Sequence, residues 1–188
     1  MEFNEIIKET VNVLNKGGVI LYPTDTVWGI GCDATNSEAV KKVYEIKRRA
    51  DSKAMLCLTE TTARVEWYFD RVPEIAWNLW EVADKPLTLI LPRARHIAPE
   101  LIASDGTMGM RITSEKVSSA ICARLKRPLV STSANISGEP TARCFKDISE
   151  EIKKAVDYIV PLRQEETKNP QPSGIIKVDD GGVIKVIR

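Results

Sequence analysis

Residues 127–141 read R-P-L-V-S-T-S-A-N-I-S-G-E-P-T, in which a short apolar run passes directly into a group of polar side chains. The apolar run at 128–130 has the length of a buried strand. Gly138 and Pro140 then predict a turn. Ligands in open α/β sheets bind where loops converge at the carboxyl ends of strands, so we expect this loop to orient a polar ligand. The alternative is an ordinary turn whose Ser and Asn side chains bond their own backbone.

Helical and strand-like segments alternate on both sides of this stretch. Apolar residues recur at helical spacing within residues 3–14, 40–46, 74–80, 117–125 and 147–156. Strand-like runs lie at 19–22, 54–58, 87–91, 107–112, 158–160, 175–178 and 183–187. Thr35 and Glu38 resemble a capping box before the second helix. The pattern predicts an α/β fold, in which residues 1–188 form one domain with an open, twisted mixed sheet and flanking helices.

The composition is that of an ordinary globular protein, with 43% hydrophobic and 28% charged residues and a net charge of +1. No apolar run has the length of a spanning helix, and residues 1–5 lack the order of a signal peptide. We therefore expect a cytoplasmic protein that has no membrane segment. Cys32, Cys57, Cys122 and Cys144 are widely spaced, which favours free thiols over a zinc site. His96, the only histidine, is expected on the surface.

Two further segments carry candidate chemistry. The loop at 24–33 contains glycines that permit close backbone approach to a ligand, or simply a tight turn. Four cations surround the predicted end of the second helix: Lys47, Arg48, Arg49 and Lys53. They favour an anion site or only complement the helix dipole, and we expect them to be exposed, so that their removal leaves the fold intact. The polar segment 164–172 predicts either a lid over a site or a plain connection.

Three motifs taken together resemble the YrdC/TsaC family. They are Y-P-T-D-T-V-W-G-I-G-C-D-A at 22–34, the K-x-R of Lys47 and Arg49, and S-T-S-A-N-I-S-G-E-P-T at 131–141. Members of this family are L-threonylcarbamoyl-adenylate synthases, which catalyse the first step of tRNA threonylcarbamoyladenosine formation. The resemblance implies an open α/β sheet with a deep basic cavity.

The reaction implied by the resemblance is a nucleotidyl transfer that joins L-threonine, bicarbonate and ATP and releases pyrophosphate. A carbamate formed from threonine and bicarbonate attacks the α-phosphorus of ATP, so the site must hold several anions together. The expected cofactor is Mg²⁺ bound through the ATP phosphates, with no protein side chain assigned as a metal ligand. The expected partner is a threonylcarbamoyl transferase that acts on tRNA.

The resemblance also assigns residues to roles. Those expected to be catalytic are Lys47, Arg49, Ser133 and Asn135. Those expected to bind ATP are Arg49, Lys53, Thr107, Ser133, Thr141 and Arg188. Those expected to bind L-threonine are Thr26, Arg111, Ser131 and Ser173, with Arg111 suited to clamp the carboxylate.

This chain departs from the common pattern of the family at Asp25, where Glu is frequent, and at Ala50, Thr113 and Gly174. Arg188 is the last residue of the sequence, with a carboxylate beside it. The alternative function is that of a YrdC-like paralogue that binds RNA weakly through a basic concavity without synthase activity.

Overall fold

The computed structural model describes residues 2–49, 55–167 and 171–188. The helices in these ranges are α1 (Phe3–Asn15), α2 (Ser37–Lys47), α3 (Glu74–Val82), α4 (Lys116–Leu125) and α5 (Glu150–Ala155). The strands are β1 (Ile20–Tyr22), β2 (Gly29–Gly31), β3 (Leu56–Thr59), β4 (Leu87–Leu91), β5 (Met108–Ile112), β6 (Leu129–Ser133), β7 (Tyr158–Ile159), β8 (Gly174–Val178) and β9 (Ile184–Val186). Short 3₁₀ helices lie at Thr62–Tyr68, Pro99–Leu101 and Phe145–Asp147.

The strands form one mixed sheet in the order β7-β1-β2-β6-β3-β5-β4-β8-β9. The pairs β1·β7, β3·β5 and β4·β8 are parallel, and the remaining pairs are antiparallel. The expected α/β fold with an open mixed sheet is confirmed. β6 runs antiparallel to both of its neighbours and extends to Ser133. The serines at 131 and 133 therefore lie on the strand itself, not in a loop at the edge of a parallel sheet.

Two local interpretations of the sequence were wrong. β2 lies inside the segment that was expected to be a loop. Gly31 is required in this strand, because a Cβ atom there would come within 2.3 Å of the carbonyl oxygen of Val130 on β6. The cap of α2 is Asn36, whose side chain accepts a hydrogen bond from the backbone N–H of Ala39 at 3.1 Å, and not Thr35.

Helices cover both faces of the sheet, and alternation along the strands determines which face each residue serves. Leu129 of β6 packs with α1 and α4, whose buried residues include Ile7 and Ile121. Val130, the next residue, packs on the opposite face. That second cluster contains residues of α2 and the partly buried Trp77 and Trp80 of α3, which confirms the expectation that these tryptophans belong to the core.

The cysteines are free, as expected, and Cys32, Cys57 and Cys122 are fully buried. Among the described residues there is no group of His, Cys, Asp and Glu side chains that could hold a metal ion. None of the helices in the described ranges combines the length and the apolar character needed to cross a bilayer. His96 is exposed, as predicted.

Candidate active site

A cavity of about 570 Å³ opens on the face of the sheet that α1 and α4 cover only in part. Its floor is made by small and polar residues at alternate positions of neighbouring strands: Gly29, Thr88, Gly109, Arg111, Ser131 and Ser133. The strand register aligns them, since Ser133 lies opposite Gly29 and Arg111 lies opposite Thr88. Short side chains leave space above the sheet where larger ones would fill it. The sheet therefore supplies a rigid floor for a ligand.

Arg111 is the buried cation of this floor, with 2% of its surface exposed. Its Nη2 donates to Oδ1 of Asp25 at 2.8 Å and to Oγ1 of Thr26 at 3.4 Å. Its Nε is buried and has no hydrogen-bond partner among the described residues. Burial raises the pKa of the Asp25 carboxyl group, and Arg111 opposes that rise. A buried donor without a partner is costly, so Arg111 is arranged to receive an acceptor that arrives with a ligand.

Three hydroxyl groups that were predicted to bind an amino acid line the same cavity as Arg111. They belong to Thr26, Ser131 and Ser173. Ser173 is 3% exposed, and its Oγ lies 3.0 Å from Oγ1 of Thr88, with which it shares a hydrogen bond. The hydroxyl of Thr26 likewise lies 3.1 Å from that of Thr24. These contacts hold the hydroxyl groups in place before a ligand enters.

Lys47 does not have the exposed position that we expected. It lies in the last turn of α2, is 1% exposed and does not line the cavity. Its Nζ donates to the carbonyl oxygens of Ser133 at 2.5 Å and Asn135 at 2.7 Å. Burial lowers the pKa of Lys47 to about 8, and the nearby charge of Arg49 contributes to this shift. The expectation that these cations are simply exposed is therefore wrong for Lys47, whose ammonium group holds the end of β6 and the loop that follows.

Arg49 reaches the cavity because α2 ends at Lys47 and the chain turns at Arg48. Arg48 adopts a left-handed conformation with φ of 49°, and the N–H of Arg49 then donates to the carbonyl oxygen of Tyr44 at 3.0 Å. The side chain of Arg49 lines the cavity, and burial lowers the pKa of its guanidinium group. Arg48 instead faces solvent and pairs with Glu151. Lys53, the remaining cation of the predicted cluster, lies outside the described residues.

Arg188 follows the end of β9 by two residues and lines the cavity. Its Nε donates to the carbonyl oxygen of Ser173 at 3.0 Å. Its backbone exchanges two hydrogen bonds with Ile175, at 3.0 and 3.2 Å. These hydrogen bonds hold Arg188 beside the cavity.

Two other predicted residues have structural partners. The hydroxyl group of Thr107 donates to Oδ1 of Asp105 at 2.6 Å, although Thr107 lines the cavity. Asn135 does not line it, and its Nδ2 donates to the carbonyl oxygens of Ile136 at 3.0 Å and Glu139 at 2.8 Å. Thus Asn135 shapes the loop after β6.

Of the residues predicted from the sequence, those that the structure brings together around the cavity are Thr26, Arg49, Thr107, Arg111, Ser131, Ser133, Thr141, Ser173 and Arg188. Sequence reasoning missed Lys177 of β8, which also lines the cavity and pairs with Asp105. The hydrogen bond from Lys177, followed by that from the hydroxyl group of Thr107, lowers the pKa of Asp105 to about 2. Ser173 immediately precedes β8, and the alternation from it through Ile175 to Lys177 is the signal that would have placed Lys177 on the same face.

The polar segment at 164–172 is only partly described, because residues 168–170 lie outside the described ranges. Before that gap, Arg163 donates to the carbonyl oxygen of Thr24 at 3.0 Å and pairs with Glu166 at 2.7 Å. After it, Pro172 lines the cavity. The alternative of a lid or a plain connection stays open.

Comparison with protein families identifies relatives over nearly the whole chain. The model of the Sua5, YciO and YrdC proteins, described as telomere recombination, matches residues 12–188. A threonylcarbamoyl-AMP synthase of Hydrogenovibrio crunogenus is 33% identical over 138 residues, which cover 71% of this chain and 74% of that protein. A threonylcarbamoyl-AMP synthase of Acinetobacter baumannii is 29% identical over 186 residues, which cover 95% and 97%.

Solved structures share the fold. A variant of P. abyssi Sua5 superposes with a TM-score of 0.89 at 24% identity, covering 100% of this chain and 57% of the Sua5 chain. This chain therefore spans little more than half the length of Sua5. E. coli YciO superposes with a TM-score of 0.85 at 25% identity, covering 100% of this chain and 89% of YciO. From the match over residues 12–188 and the curated relatives, the chain belongs to the Sua5/YciO/YrdC family.

Proposed function

We propose that the cavity is the active site of a threonylcarbamoyl-AMP synthase, in which L-threonine, bicarbonate and ATP are held together. Curated relatives with this name cover up to 95% of the chain. The protein is accordingly a nucleotidyltransferase of tRNA threonylcarbamoyladenosine modification.

The observation that carries the assignment of the site is the buried, unpartnered Nε of Arg111. The carboxylate of threonine supplies the acceptor that this donor lacks, and a guanidinium group binds a carboxylate through two parallel hydrogen bonds. Asp25 accepts a hydrogen bond from Nη2 and so fixes the plane of the guanidinium group. A P. abyssi Sua5 structure contains L-threonine, which is consistent with an amino-acid site in this fold.

The hydroxyl group and the amine of threonine require polar partners at the same end of the cavity. Ser131 and Ser173 are buried hydroxyl residues of its lining, and Thr26 lies beside Arg111. A site that hydrogen-bonds a substrate hydroxyl rejects an analogue without one, because its own polar groups are then left unpaired. We therefore assign these three hydroxyl residues to recognition of threonine.

The cations of the cavity serve the triphosphate. Arg49 and Arg188 line it together with Thr107, Ser133 and Thr141, and Lys177 adds a further positive charge. In the reaction the amine of threonine attacks the carbon of bicarbonate, and water is lost to leave a carbamate. A carbamate oxygen then attacks the α-phosphorus of ATP, the bond to the bridging oxygen breaks, and pyrophosphate leaves. Fixed cations stabilise the charge that develops on the phosphate oxygens.

We assign no protein side chain as a ligand of magnesium. Asp105 is the carboxylate of the cavity lining, and its oxygens already accept from Lys177 and Thr107. The described residues therefore do not fit a protein-held metal site, and we assign Mg²⁺ to the phosphates of ATP. Bound there, it would neutralise phosphate charge.

The product is an acyl phosphate anhydride of a carbamate, which water hydrolyses. It therefore has to pass to an enzyme that transfers the threonylcarbamoyl group to an acceptor amine. We propose a threonylcarbamoyl transferase acting on tRNA as that partner, in agreement with the family resemblance of the sequence.

A direct experiment incubates the protein with ATP, L-threonine and ¹³C-bicarbonate and analyses the mixture by mass spectrometry. We expect labelled threonylcarbamoyl-AMP together with pyrophosphate, and neither with L-valine in place of threonine. Arg49→Ala should abolish both products. Absence of labelled product from the folded wild-type protein would reject the assignment and favour a paralogue without synthase activity.

A further inference from the structure

A second cleft, of about 480 Å³, shares no lining residue with the active-site cavity. It lies between the 3₁₀ helix Thr62–Tyr68 and the end of α4, and its walls include Arg64, Trp67, His96, Lys126 and Arg127. Its volume is within the range of ligand pockets, about 300–1,000 Å³. The proposed synthase reaction does not use any of these residues. We define them as the Trp67 cleft.

The aromatic surface of the Trp67 cleft is exposed yet ordered. Trp67 has 62% of its surface exposed, which is unusual for a large aromatic side chain. Its ring stacks on that of His96, with centroids 4.5 Å apart and planes inclined by 29°. Nδ1 of His96 lies 2.8 Å from the carbonyl oxygen of Trp67, which can only accept, so this nitrogen donates. The histidine thus supports one face of the indole ring, and the exposed surface remains for a ligand.

The cations of the Trp67 cleft present positive charge outward because their acidic partners lie beneath them. Arg64 is 31% exposed and pairs with Glu60, which is 13% exposed. Arg127 is 37% exposed and pairs with Asp33, which is 8% exposed. Lys126 is exposed and makes no ion pair with the described residues. Solvent therefore meets the guanidinium and ammonium groups first.

Hydrogen bonds hold the guanidinium groups of the two arginines at fixed positions, whereas Lys126 is fixed only through its backbone. Lys126 ends α4 in a left-handed conformation with φ of 59°, and its carbonyl oxygen accepts from Nη1 of Arg64 at 3.2 Å. Nε of Arg127 donates to Asp33 at 2.6 Å. The two pre-organised guanidinium groups lose little conformational freedom when an anion binds.

From these observations we infer that the Trp67 cleft binds single-stranded nucleic acid, with one base stacked on Trp67 and the adjoining phosphates on Lys126 and the two arginines. An aromatic platform flanked by cations is the combination that proteins use for unpaired nucleotides. A duplex does not fit, because its bases are stacked on each other and cannot reach the indole ring. An acidic peptide would match the cations but would leave the stacked aromatic surface without a partner.

The experiment measures binding of a fluorescently labelled single-stranded oligoribonucleotide of about 12 nucleotides by anisotropy, a length that covers one such site. We expect Trp67→Ala to raise the dissociation constant about tenfold or more, and Trp67→Phe, which keeps an aromatic face, to raise it much less. Lys126→Ala should reduce the slope of log K against log salt concentration by about 0.7, the value for one phosphate of a single strand. Lys185→Ala, an exposed lysine on β9, is the matched control and should leave the slope unchanged.

Threonylcarbamoyl-AMP synthesis by the Trp67, Lys126 and Lys185 variants checks that they are folded, since none of these three residues lines the active-site cavity. The inference is overturned if Trp67→Ala and Lys126→Ala both bind the oligonucleotide as wild type does. It is also overturned if a duplex of the same sequence binds equally well, or if AMP alone competes at concentrations near the dissociation constant of the oligonucleotide. Loss of binding in Arg49→Ala but not in Trp67→Ala would place the nucleic acid in the active-site cavity instead.

Discussion

One face of the sheet is divided into a covered half and an open half, and β6 crosses the boundary between them. Leu129, at the start of β6, is fully buried beneath α1 and α4, whereas Ser131, two residues later on the same face, lines the active-site cavity. The backbone is regular strand at both positions. The difference lies in the side chains, because apolar residues recruit the helices and small polar ones leave the sheet open. The site is thus formed mainly by strand residues that the helices leave uncovered, and less by the loops.

The open half differs from the covered half in how its polar groups are satisfied. In the covered half, large apolar side chains such as Leu58 and Leu129 fill the space under the helices. In the open half, Arg111 retains a buried donor that has no partner among the described residues.

Arg111→Ala should have the largest effect on activity. It removes two hydrogen bonds between charged groups that we assign to the threonine carboxylate, each worth about 1.5–3 kcal/mol. We expect kcat/KM for threonine to fall about 10²-fold to 10⁴-fold, measured by pyrophosphate release at varied threonine concentration.

The control for Arg111→Ala addresses stability, because the single variant leaves Asp25 buried without its partner. Arg111→Ala combined with Asp25→Asn should regain much of the lost free energy of unfolding while remaining inactive. If the double variant regained activity, Arg111 would have no direct part in binding threonine.

Leu129→Ala and Ser131→Ala compare the two halves on one strand. Leu129→Ala removes a fully buried side chain and should lower the free energy of unfolding by about 2–5 kcal/mol, with KM values unchanged. Ser131→Ala should change the free energy of unfolding by less than about 1 kcal/mol and raise KM for threonine by about twofold to tenfold. Urea denaturation and initial-rate kinetics measure the two effects. The division of the face would be wrong if Ser131→Ala destabilised the protein as much as Leu129→Ala.

Much of this division could be predicted from the sequence. Apolar spacing identified the main helices and strands, and the group of polar residues after Val130 marked the strand that carries the site. β2 was missed because its sequence, Gly29-Ile30-Gly31, has the glycines of a turn, while its pairing with β1 and β6 is a tertiary contact. Residues far apart in the sequence provide that pairing, so no local pattern could indicate it.

The burial of Lys47 could not be predicted for a similar reason. A lysine at a helix end is usually solvated, and its local sequence does not contain the carbonyl oxygens that surround it. Those carbonyls belong to Ser133 and Asn135, which lie about ninety residues later in the chain. Motif resemblance identified Lys47 as important, but the structure changes the reason from an exposed charge to a buried anchor.

Lys47→Ala should therefore destabilise the protein, contrary to the expectation from the sequence. It leaves two carbonyl oxygens without their donor, and each unsatisfied buried group costs about 1–3 kcal/mol. We expect the free energy of unfolding to fall by about 2–4 kcal/mol in urea denaturation. The matched control is Arg48→Ala, which removes only an exposed ion pair with Glu151 and should cost less than about 1 kcal/mol. Equal stability of the two variants would contradict the role of Lys47 as an anchor.

The pKa of Lys47 gives a pH dependence of stability. Its folded-state pKa is about 8, below the ordinary value of 10.5, because the charged form is buried. Between these two values the unfolded chain binds more protons at Lys47 than the folded chain does, so the free energy of unfolding rises with pH. The comparison is with Lys47→Met, in which this group is absent and the other titrations are retained. We expect the wild-type value minus the variant value to be level below about pH 8 and to increase above it, and a constant difference up to pH 10 would exclude the burial of a charged lysine.

Lys177 offers the smallest and most specific test, because it is a cation of the open half that already has a partner. It pairs with Asp105, and since the two side chains are 37% and 48% exposed, the pair contributes little to stability. The phosphates of ATP would compete with Asp105 for the ammonium group. Lys177→Ala should therefore raise KM for ATP by about threefold and leave KM for threonine unchanged.

Asp105→Asn changes the other member of this pair and should shift KM for ATP in the opposite direction. It removes the charge that holds Lys177 while keeping an acceptor for Thr107, so KM for ATP should fall. Because the pKa of Asp105 is about 2, the carboxylate stays charged and the effect should be the same from pH 5 to pH 8. If both variants changed KM for ATP in the same direction, the pair would act by shaping the loop at 103–107, and Lys177 would not be a contact of the nucleotide.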